Sequence, residues 1–238
     1  MNWSLNLVIF AATFVGGLSG FGTGIVAMGV LPLLISIKVA NPLVTIVSAA
    51  IFGALSVFAW REIDWQTVLR LLAGAALGIP LGIYGLVALE ERVLLVGLGI
   101  FILAYVAYAL LLQERLRLRV GPRWGFPAGL VGGTISGALN AGGPPIVIYC
   151  SALQLDKRRL KATLQAYFAF MGLYKLPLFW AAGLFTAELG RLLASITPFA
   201  AAGTVLGMLA FGKLSDRWFR LVVLALLAFA ALLLLVKS

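Results

Sequence analysis

Apolar residues run along this chain in long stretches separated by short clusters of charge, a pattern that predicts membrane-crossing helices. A helix needs about 20 predominantly apolar residues to cross a hydrocarbon core of about 30 Å. Stretches near that length predict six ordinary spans, at residues 44–60, 68–88, 93–112, 160–182, 189–211 and 219–236. The fold class expected from this pattern is an all-α polytopic integral membrane protein.

Two further apolar segments, residues 5–37 and 124–155, are too long for one crossing and too short for two. Glycine or proline interrupts each near its middle. Lysine and arginine collect on the cytoplasmic side of membrane proteins, so their distribution tests whether these segments cross or return. If both segments return to the face from which they enter, most basic residues share one face, whereas crossing once would divide them almost evenly. We therefore predict two broken, re-entrant segments.

One re-entrant segment and three spans in each half reverse the orientation of the second half, which predicts two inverted repeats. The GGLSG at residues 16–20 resembles the GGTISG at 132–137, and Trp60 and Trp180 keep a similar offset. Chance similarity between helices rich in glycine, leucine and alanine is the alternative explanation. The predicted organisation is a first membrane repeat, a basic cytoplasmic linker and a second membrane repeat, at residues 1–112, 113–123 and 124–238.

Composition agrees with lipid as the solvent, because 63% of the residues are hydrophobic, 11% are charged and the mean hydropathy is +1.10. The net charge of +10 lies in short loops, which indicates orientation in the membrane rather than nucleic-acid binding. The chain has no histidine and a single cysteine, so we predict neither a metal site nor a cofactor. The predicted location is the cell inner membrane, with several spans and both termini extracytoplasmic.

Each re-entrant segment contains a glycine-rich break, SGFGTG at residues 19–24 and NAGGPP at residues 140–145. Glycine leaves backbone N–H groups exposed, and proline is compatible with the first helical positions, so both breaks resemble helix N-termini. A half-helix N-terminus inside a membrane carries partial positive charge and unpaired amides, which favour an anion. Simple helix kinks are the alternative interpretation.

The two breaks predict a binding site for a small anion near the middle of the membrane, with access alternating as one half rocks against the other. The predicted substrate-binding residues are Ser19, Gly22, Thr23, Gly24, Thr134, Ser136, Asn140, Gly142, Gly143, Gln165 and Lys175. Lys175 lies within a predicted span, where its ammonium either faces the anion or extends along the helix to the headgroups. Further cavity-lining groups suggested by the pattern are Asn41, Thr45, Ser48 and Tyr167.

Every acidic residue lies in a predicted loop or at a predicted helix end, which disfavours cation transport and a carboxylate proton relay. The predicted spans contain no Ser/Lys dyad, paired carboxylates or HExxH motif, so we do not predict an enzyme. An anion channel and a non-transporting assembly or structural protein remain alternatives to a transporter. The expected partners are the small anion and the lipid bilayer, with a homodimer left open.

At its glycine-rich breaks, this chain resembles the sulfite exporter TauE/SafE family of membrane transporters. The resemblance rests on GGLSGFGTG at residues 16–24 followed by Pro32, and on GGTISG at 132–137 leading into NAGGPP at 140–145. The chain length, the duplicated halves and the basic central loop are also similar to that family. The resemblance implies a secondary transporter of sulfite or of a related sulfur oxyanion or organosulfonate, often directed outward.

Overall fold

In a computed structural model, the protein is helical through the residues that the structure describes, which are 3–111, 120–210 and 216–237. No β-strand occurs in those ranges. The α-helices there are α1 Trp3–Ser19, α2 Thr23–Val30, α3 Ile37–Phe58, α4 Trp65–Ala88, α5 Glu91–Leu111, α6 Gly125–Leu139, α7 Gly143–Ala152, α8 Lys157–Ala181, α9 Ala187–Ala210 and α10 Asp216–Lys237. Most of the predicted basic linker, residues 113–123, lies outside the described residues.

Four of these helices, α3, α4, α5 and α9, are long and apolar enough to cross a membrane. Helix α8 is comparable in length, with 25 residues, but its first turn is basic. The prediction of an all-α polytopic membrane protein is thereby confirmed. Helices suit the membrane because the peptide groups in their interior are hydrogen-bonded within the same segment and need no water. A long apolar stretch is therefore sufficient to identify a crossing helix.

Several helices begin earlier than the apolar pattern predicted, because their first turns are polar. Helix α3 begins at Ile37 rather than at residue 44, where the Ser36 hydroxyl accepts a hydrogen bond from Lys38 N at 3.3 Å. Asp156 caps α8 by accepting bonds from Arg158 N and Arg159 N, both at 3.0 Å, so α8 begins at Lys157 rather than at residue 160. Capping residues and charged first turns belong to the helix although they interrupt an apolar run.

Both predicted breaks are present, and left-handed backbone conformations produce them. Gly20 and Gly22 have φ angles of +79° and +94° between α1 and α2. Asn140, with φ of +51°, ends α6 before α7 begins. Glycine adopts positive φ without a steric penalty, and asparagine tolerates it better than most other residues. The chain therefore stops being helical at these two points and resumes within a few residues.

Helices α6 and α7, the second broken pair, fold back as a hairpin. The Tyr149 hydroxyl, near the end of α7, donates to the carbonyl of Pro122, just before α6, at 3.2 Å. The end of α2 lies at the face where α10 ends, because Lys237 Nζ donates to the carbonyls of Pro32 and Leu33 at 2.9 and 3.1 Å. These contacts agree with the re-entrant arrangement that the charge distribution predicted.

The main helix contacts join the two halves of the chain to each other. Helix α1 packs along α9, α6 packs along α4, α3 packs against α8, and α5 packs against α10. In chain order, α1 corresponds to α6, α3 to α8, α4 to α9 and α5 to α10. If each helix is replaced by its counterpart, the contact of α1 with α9 becomes the contact of α6 with α4. The contacts of α3 with α8 and of α5 with α10 remain the same. Such an exchange pattern is what a duplicated fold produces, and it supports the repeat that the sequence predicts.

The glycine stripe of α4 lets the backbones of α4 and α6 touch. A Cβ added to Gly74, Gly78 or Gly82 would overlap a carbonyl oxygen of α6. Close backbone contact replaces the hydrophobic driving force that lipid cannot supply.

The glycines that correspond in the two halves differ from those that the sequence matched. When the ends of α1 and α6 are aligned, Gly17 corresponds to Gly137. The match of residues 16–20 with residues 132–137 pairs Gly17 with Gly133 instead, which is displaced by one helical turn. Because packing glycines recur every turn along such a contact, a short motif can be matched at the wrong turn.

Candidate functional site

The two helix breaks meet, and a cavity lies where they meet. A Cβ added to Gly24, in the first turn of α2, would overlap the backbone oxygen of Asn140 at the end of α6. The cavity beside this contact is bounded by both breaks and by α3, α5 and α8, and we call it the central cavity. Residues lining it are Phe21, Gly22, Gly24, Ile25, Thr45, Ser48, Phe52, Tyr105, Ser136, Asn140, Gly142, Gly143, Pro144, Phe168, Met171 and Gly172.

The central cavity is small. Its volume is about 40 Å³, and on the same measure one water requires about 10–15 Å³, so the space corresponds to about three water molecules. An inorganic oxyanion with four heavy atoms is of that order of size. A ligand bound there would lose nearly all its hydration, so the protein must replace the lost hydrogen bonds.

Two helix N-termini face the central cavity. Helix α2 begins after Gly22 and α7 begins after Gly142, and neither helix has a side-chain cap. The first backbone N–H groups of a helix have no partner within the helix, and they carry part of its positive end charge. Gly22, Gly24, Gly142 and Gly143 all line the cavity. Pro144 and Pro145 have no N–H, so in the first turn of α7 the donor is Gly143, while the first turn of α2 contains no proline. Backbone donors are thus available to a bound anion from two sides.

The opposite, carbonyl ends of the broken helices are covered by side chains. Lys161 Nζ donates to the carbonyls of Gly17 and Leu18, at the end of α1, at 3.1 and 3.2 Å. Asn41 Nδ2 donates to the carbonyls of Gly137 and Ala138, at the end of α6, at 2.9 and 3.1 Å. These contacts offset the partial negative charge of the two C-termini. The positive ends of α2 and α7 have no such cover, so the breaks together favour negative charge.

Lys175 is fully buried directly behind Asn140. Its Nζ donates to Asn140 Oδ1 at 2.8 Å, to the carbonyl of Ser136 at 2.9 Å and to Asn41 Oδ1 at 3.1 Å. Three acceptors match the three N–H donors of an ammonium group. The interpretation in which this side chain extends to the headgroups is therefore wrong, because its amine is directed into the protein. Lys175 lies one turn beyond Met171 and Gly172, which line the central cavity.

The side chain of Asn140 connects Lys175 to the cavity wall. Its oxygen accepts from Lys175, and its Nδ2 donates to the carbonyl of Asn41 at 3.4 Å. Ser48 also lines the cavity, and its hydroxyl is buried with no hydrogen-bond partner among the described residues. Buried hydroxyl groups are nearly always paired, so an unpaired one in a cavity is a candidate ligand contact.

The structure brings most of the predicted site residues together. Those that line the central cavity are Gly22, Gly24, Ser136, Asn140, Gly142 and Gly143, joined by Thr45 and Ser48. Lys175 stands one layer behind them. The remaining predicted residues do not line this cavity, and they are Ser19, Thr23, Asn41, Thr134, Gln165 and Tyr167.

Two of the hydroxyl groups that do not line the cavity are directed back onto their own helices, whereas those of Thr23 and Tyr167 are buried with no hydrogen-bond partner among the described residues. Ser19 Oγ donates to the carbonyl of Val15 at 2.7 Å, and Thr134 Oγ1 donates to that of Leu130 at 2.9 Å. Short hydroxyl side chains in helices commonly bond the preceding turn in this way. Thr23 Oγ1 covers Gly16, where an added Cβ would overlap it. The sequence pattern shows that these residues are polar, but it does not show their direction.

An aromatic and apolar wall of the central cavity was not predicted. It comprises Phe21, Phe52, Tyr105, Phe168 and Met171. Large apolar residues in a membrane helix can face lipid or protein equally well, so the sequence carries no signal that distinguishes these five. The positions of Phe52, Phe168 and Met171 follow from the packing of α3 against α8, whereas Phe21 lies in the first break and Tyr105 on α5.

Comparisons with a family model and with a known protein both indicate a sulfite exporter family. A family model described as "Sulfite exporter TauE/SafE" matches residues 5–234. A relative from Cupriavidus necator, named "Probable sulfite/organosulfonate exporter TauE", is 31% identical over 157 residues, which cover 60% of this chain and 58% of the relative. The match thus spans less than two thirds of that relative's length. No solved structure gives a significant match.

Proposed function

Because this chain belongs to the sulfite exporter TauE/SafE family, we propose that it is a secondary transporter of a small sulfur oxyanion. Sulfite is the first candidate for its substrate, and an organosulfonate is the second. Membership of an exporter family agrees with the prediction that the chain is not an enzyme. We further propose outward transport across the cell inner membrane, with the basic face cytoplasmic and both termini extracytoplasmic.

The observation that carries this proposal is the meeting of two uncapped helix N-termini at one cavity. Lysine and asparagine side chains offset the neighbouring carbonyl ends, and Lys175 Nζ, which three acceptors surround, stands behind Asn140. Among the described residues, no acidic side chain lines the cavity. The electrostatic environment therefore favours an anion over a cation or a neutral solute.

Sulfite suits this cavity in size and in hydrogen-bonding capacity. Its three oxygens accept hydrogen bonds, and the cavity offers backbone N–H groups at both breaks together with the Ser48 hydroxyl. Aromatic and apolar side chains form the remainder of the wall, which excludes water and strengthens these interactions. An organosulfonate carries a carbon substituent as well, so it would require the cavity to widen.

We expect access to the cavity to alternate between the two faces. Its walls come from both halves of the chain, which matches transporters whose site lies between repeats. Movement of α1 and α9 relative to α4 and α6 would expose the cavity first to one face and then to the other. A channel would instead require a continuous open path.

Counterflow in proteoliposomes tests this function. Vesicles loaded with unlabelled sulfite are expected to accumulate labelled sulfite transiently, because a carrier exchanges substrate across the membrane. Thiosulfate and an alkylsulfonate serve as alternative substrates, and an organic amine serves as a control. Flux without exchange would identify a channel. Absence of flux for every oxyanion would reject the transporter and favour a structural or assembly protein.

Gly143→Val is expected to lower sulfite transport at least 100-fold without loss of folded protein. Beyond its neighbours in the chain and its own helix backbone, a Cβ at Gly143 meets only Phe168 Cζ, at 3.8 Å, so the surrounding helices leave room for a side chain. Valine methyl groups would then occupy a cavity of about 40 Å³. Gly143→Ala, which adds only the Cβ, should retain more transport than the valine variant. Equal transport by wild type and Gly143→Val would remove this cavity from the pathway.

A further inference from the structure

A second cavity lies between α3 and α8 at the face where α8 begins, and we propose that it is a loading site for the transported oxyanion. We call it the basic vestibule. This inference rests on the proposed function, because it assigns a second binding position to the same substrate. The volume of the basic vestibule is about 310 Å³, several times that of the central cavity.

The basic vestibule carries more positive than negative charge. Arg158 and Lys161, both on α8, line it, and Glu62 is the one acidic side chain among the described residues that does so. The Lys161 ammonium is held in place by its bonds to the end of α1. A fixed positive charge in a recess raises the local concentration of anions and assists their entry.

Gln165 supplies a donor deeper in the basic vestibule. Its side chain is only 3% exposed and lines the vestibule, and no hydrogen bond joins it to the described residues. Buried amides are nearly always hydrogen-bonded, so this amide is available to a water molecule or an anion in the vestibule. An oxyanion can accept the two N–H groups of the amide. Gln165 is one of the residues predicted for the central anion site, but in the structure it lines the basic vestibule.

An aromatic pair separates the basic vestibule from the central cavity. On α8, Gln165 lines the vestibule, and Phe168, about one turn further, lines the central cavity. On α3, Leu55 lines the basic vestibule and Phe52 lines the central cavity. The rings of Phe52 and Phe168 have their centroids 5.9 Å apart. An anion that moves along α3 and α8 between the two cavities must pass these rings.

The difference in volume gives the two positions different roles. The basic vestibule can hold an anion with much of its hydration and with an organic substituent, whereas the central cavity accommodates only the dehydrated oxyanion. Binding of the anion in the basic vestibule would then depend on the positive charge there. Selection between a small oxyanion and a bulky one would occur at Phe52 and Phe168. A bulky sulfonate should therefore enter the basic vestibule without reaching the central cavity.

Transport kinetics with matched charge variants test the loading site. Arg158→Gln and Gln165→Met are each expected to raise the KM for sulfite at the basic face about tenfold, with the maximal rate changed less than twofold. Arg159→Gln makes the same charge change on the adjacent exposed residue, which does not line the vestibule, and should leave KM within twofold. An unchanged KM in both vestibule variants would overturn the loading site. Absence of sulfite flux in the wild type would instead reject the proposed function.

Inhibition by toluenesulfonate gives a second readout. This arylsulfonate should inhibit sulfite transport competitively from the basic face without being carried. Arg158→Gln should weaken that inhibition about tenfold, and Arg159→Gln should leave it unchanged. Inhibition that is equal in the two arginine variants, or efficient carriage of toluenesulfonate, would contradict the assigned division between the cavities.

Discussion

Replacing Lys175 by glutamine is expected to lower oxyanion transport about 30- to 150-fold while the protein remains folded. Two unit charges about 4 Å apart interact by about 4 kcal/mol at an effective dielectric constant of about 20. Asn140 stands between Lys175 and the cavity, so the separation is larger, and an interaction of about 2–3 kcal/mol corresponds to that range. Glutamine keeps two N–H donors for the acceptors that now surround Lys175 Nζ, namely Asn140 Oδ1, the Ser136 carbonyl and Asn41 Oδ1. The change therefore removes charge while preserving much of the hydrogen bonding.

Initial rates of labelled sulfite uptake into proteoliposomes measure this effect, with size-exclusion chromatography as the test of folding. Asn140→Gly is the companion variant, because glycine accepts the φ of +51° at this position and removes only the side-chain amide. We expect it to reduce transport as well, since Lys175 loses its shortest bond. Transport at the wild-type rate in Lys175→Gln would show that a charge behind the breaks is not needed.

Gly78→Val is expected to prevent stable folding, and Gly85→Val on the same helix is expected to be tolerated. A Cβ at Gly78 would overlap the carbonyl of Leu130 on α6 and lie 2.9 Å from Thr134 N. Backbone atoms cannot move aside as a flexible side chain can, so α4 and α6 would have to separate, at a cost of about 3 kcal/mol or more. A Cβ at Gly85 meets only the tip of Leu89, at 3.8 Å.

Thermal unfolding in detergent, followed by the loss of monodisperse protein, measures this difference. Gly85→Val should unfold within about 2 °C of the wild type, whereas Gly78→Val should yield little folded protein or unfold at least about 10 °C lower, in line with a loss of a few kcal/mol. Equal melting temperatures for the two variants would show that the close contact between α4 and α6 does not hold the halves together.

Pattern and charge predicted much of the architecture because they report on the membrane itself. Apolar length identified α3, α4, α5 and α9, since the thickness of the bilayer determines how long a crossing helix must be. Glycine and proline located the breaks between α1 and α2 and between α6 and α7, since positive φ and missing N–H groups are properties of single residues. The predicted starts of helices were less accurate. Ser36 and Asp156 cap α3 and α8, and apolar length alone places the start of each helix several residues too late.

The candidate site was predicted in part for a related reason. Backbone amides at Gly22, Gly24, Gly142 and Gly143 follow from where a helix starts, and they line the central cavity. Side-chain direction does not follow from the sequence. Gln165 was expected beside the anion, but it faces the basic vestibule, because the rotation of α8 assigns successive turns to different cavities.

Local composition was enough to predict the lipid solvent of this protein, the long apolar helices α3, α4, α5 and α9 and the two points where the backbone breaks, because each depends on residues close together in the chain. Helix packing, in contrast, brings the two breaks together, directs Lys175 towards Asn140 rather than lipid, and places Phe52 and Phe168 between two cavities. Those facts depend on contacts between residues far apart in sequence, and the rotation of each packed helix determines them.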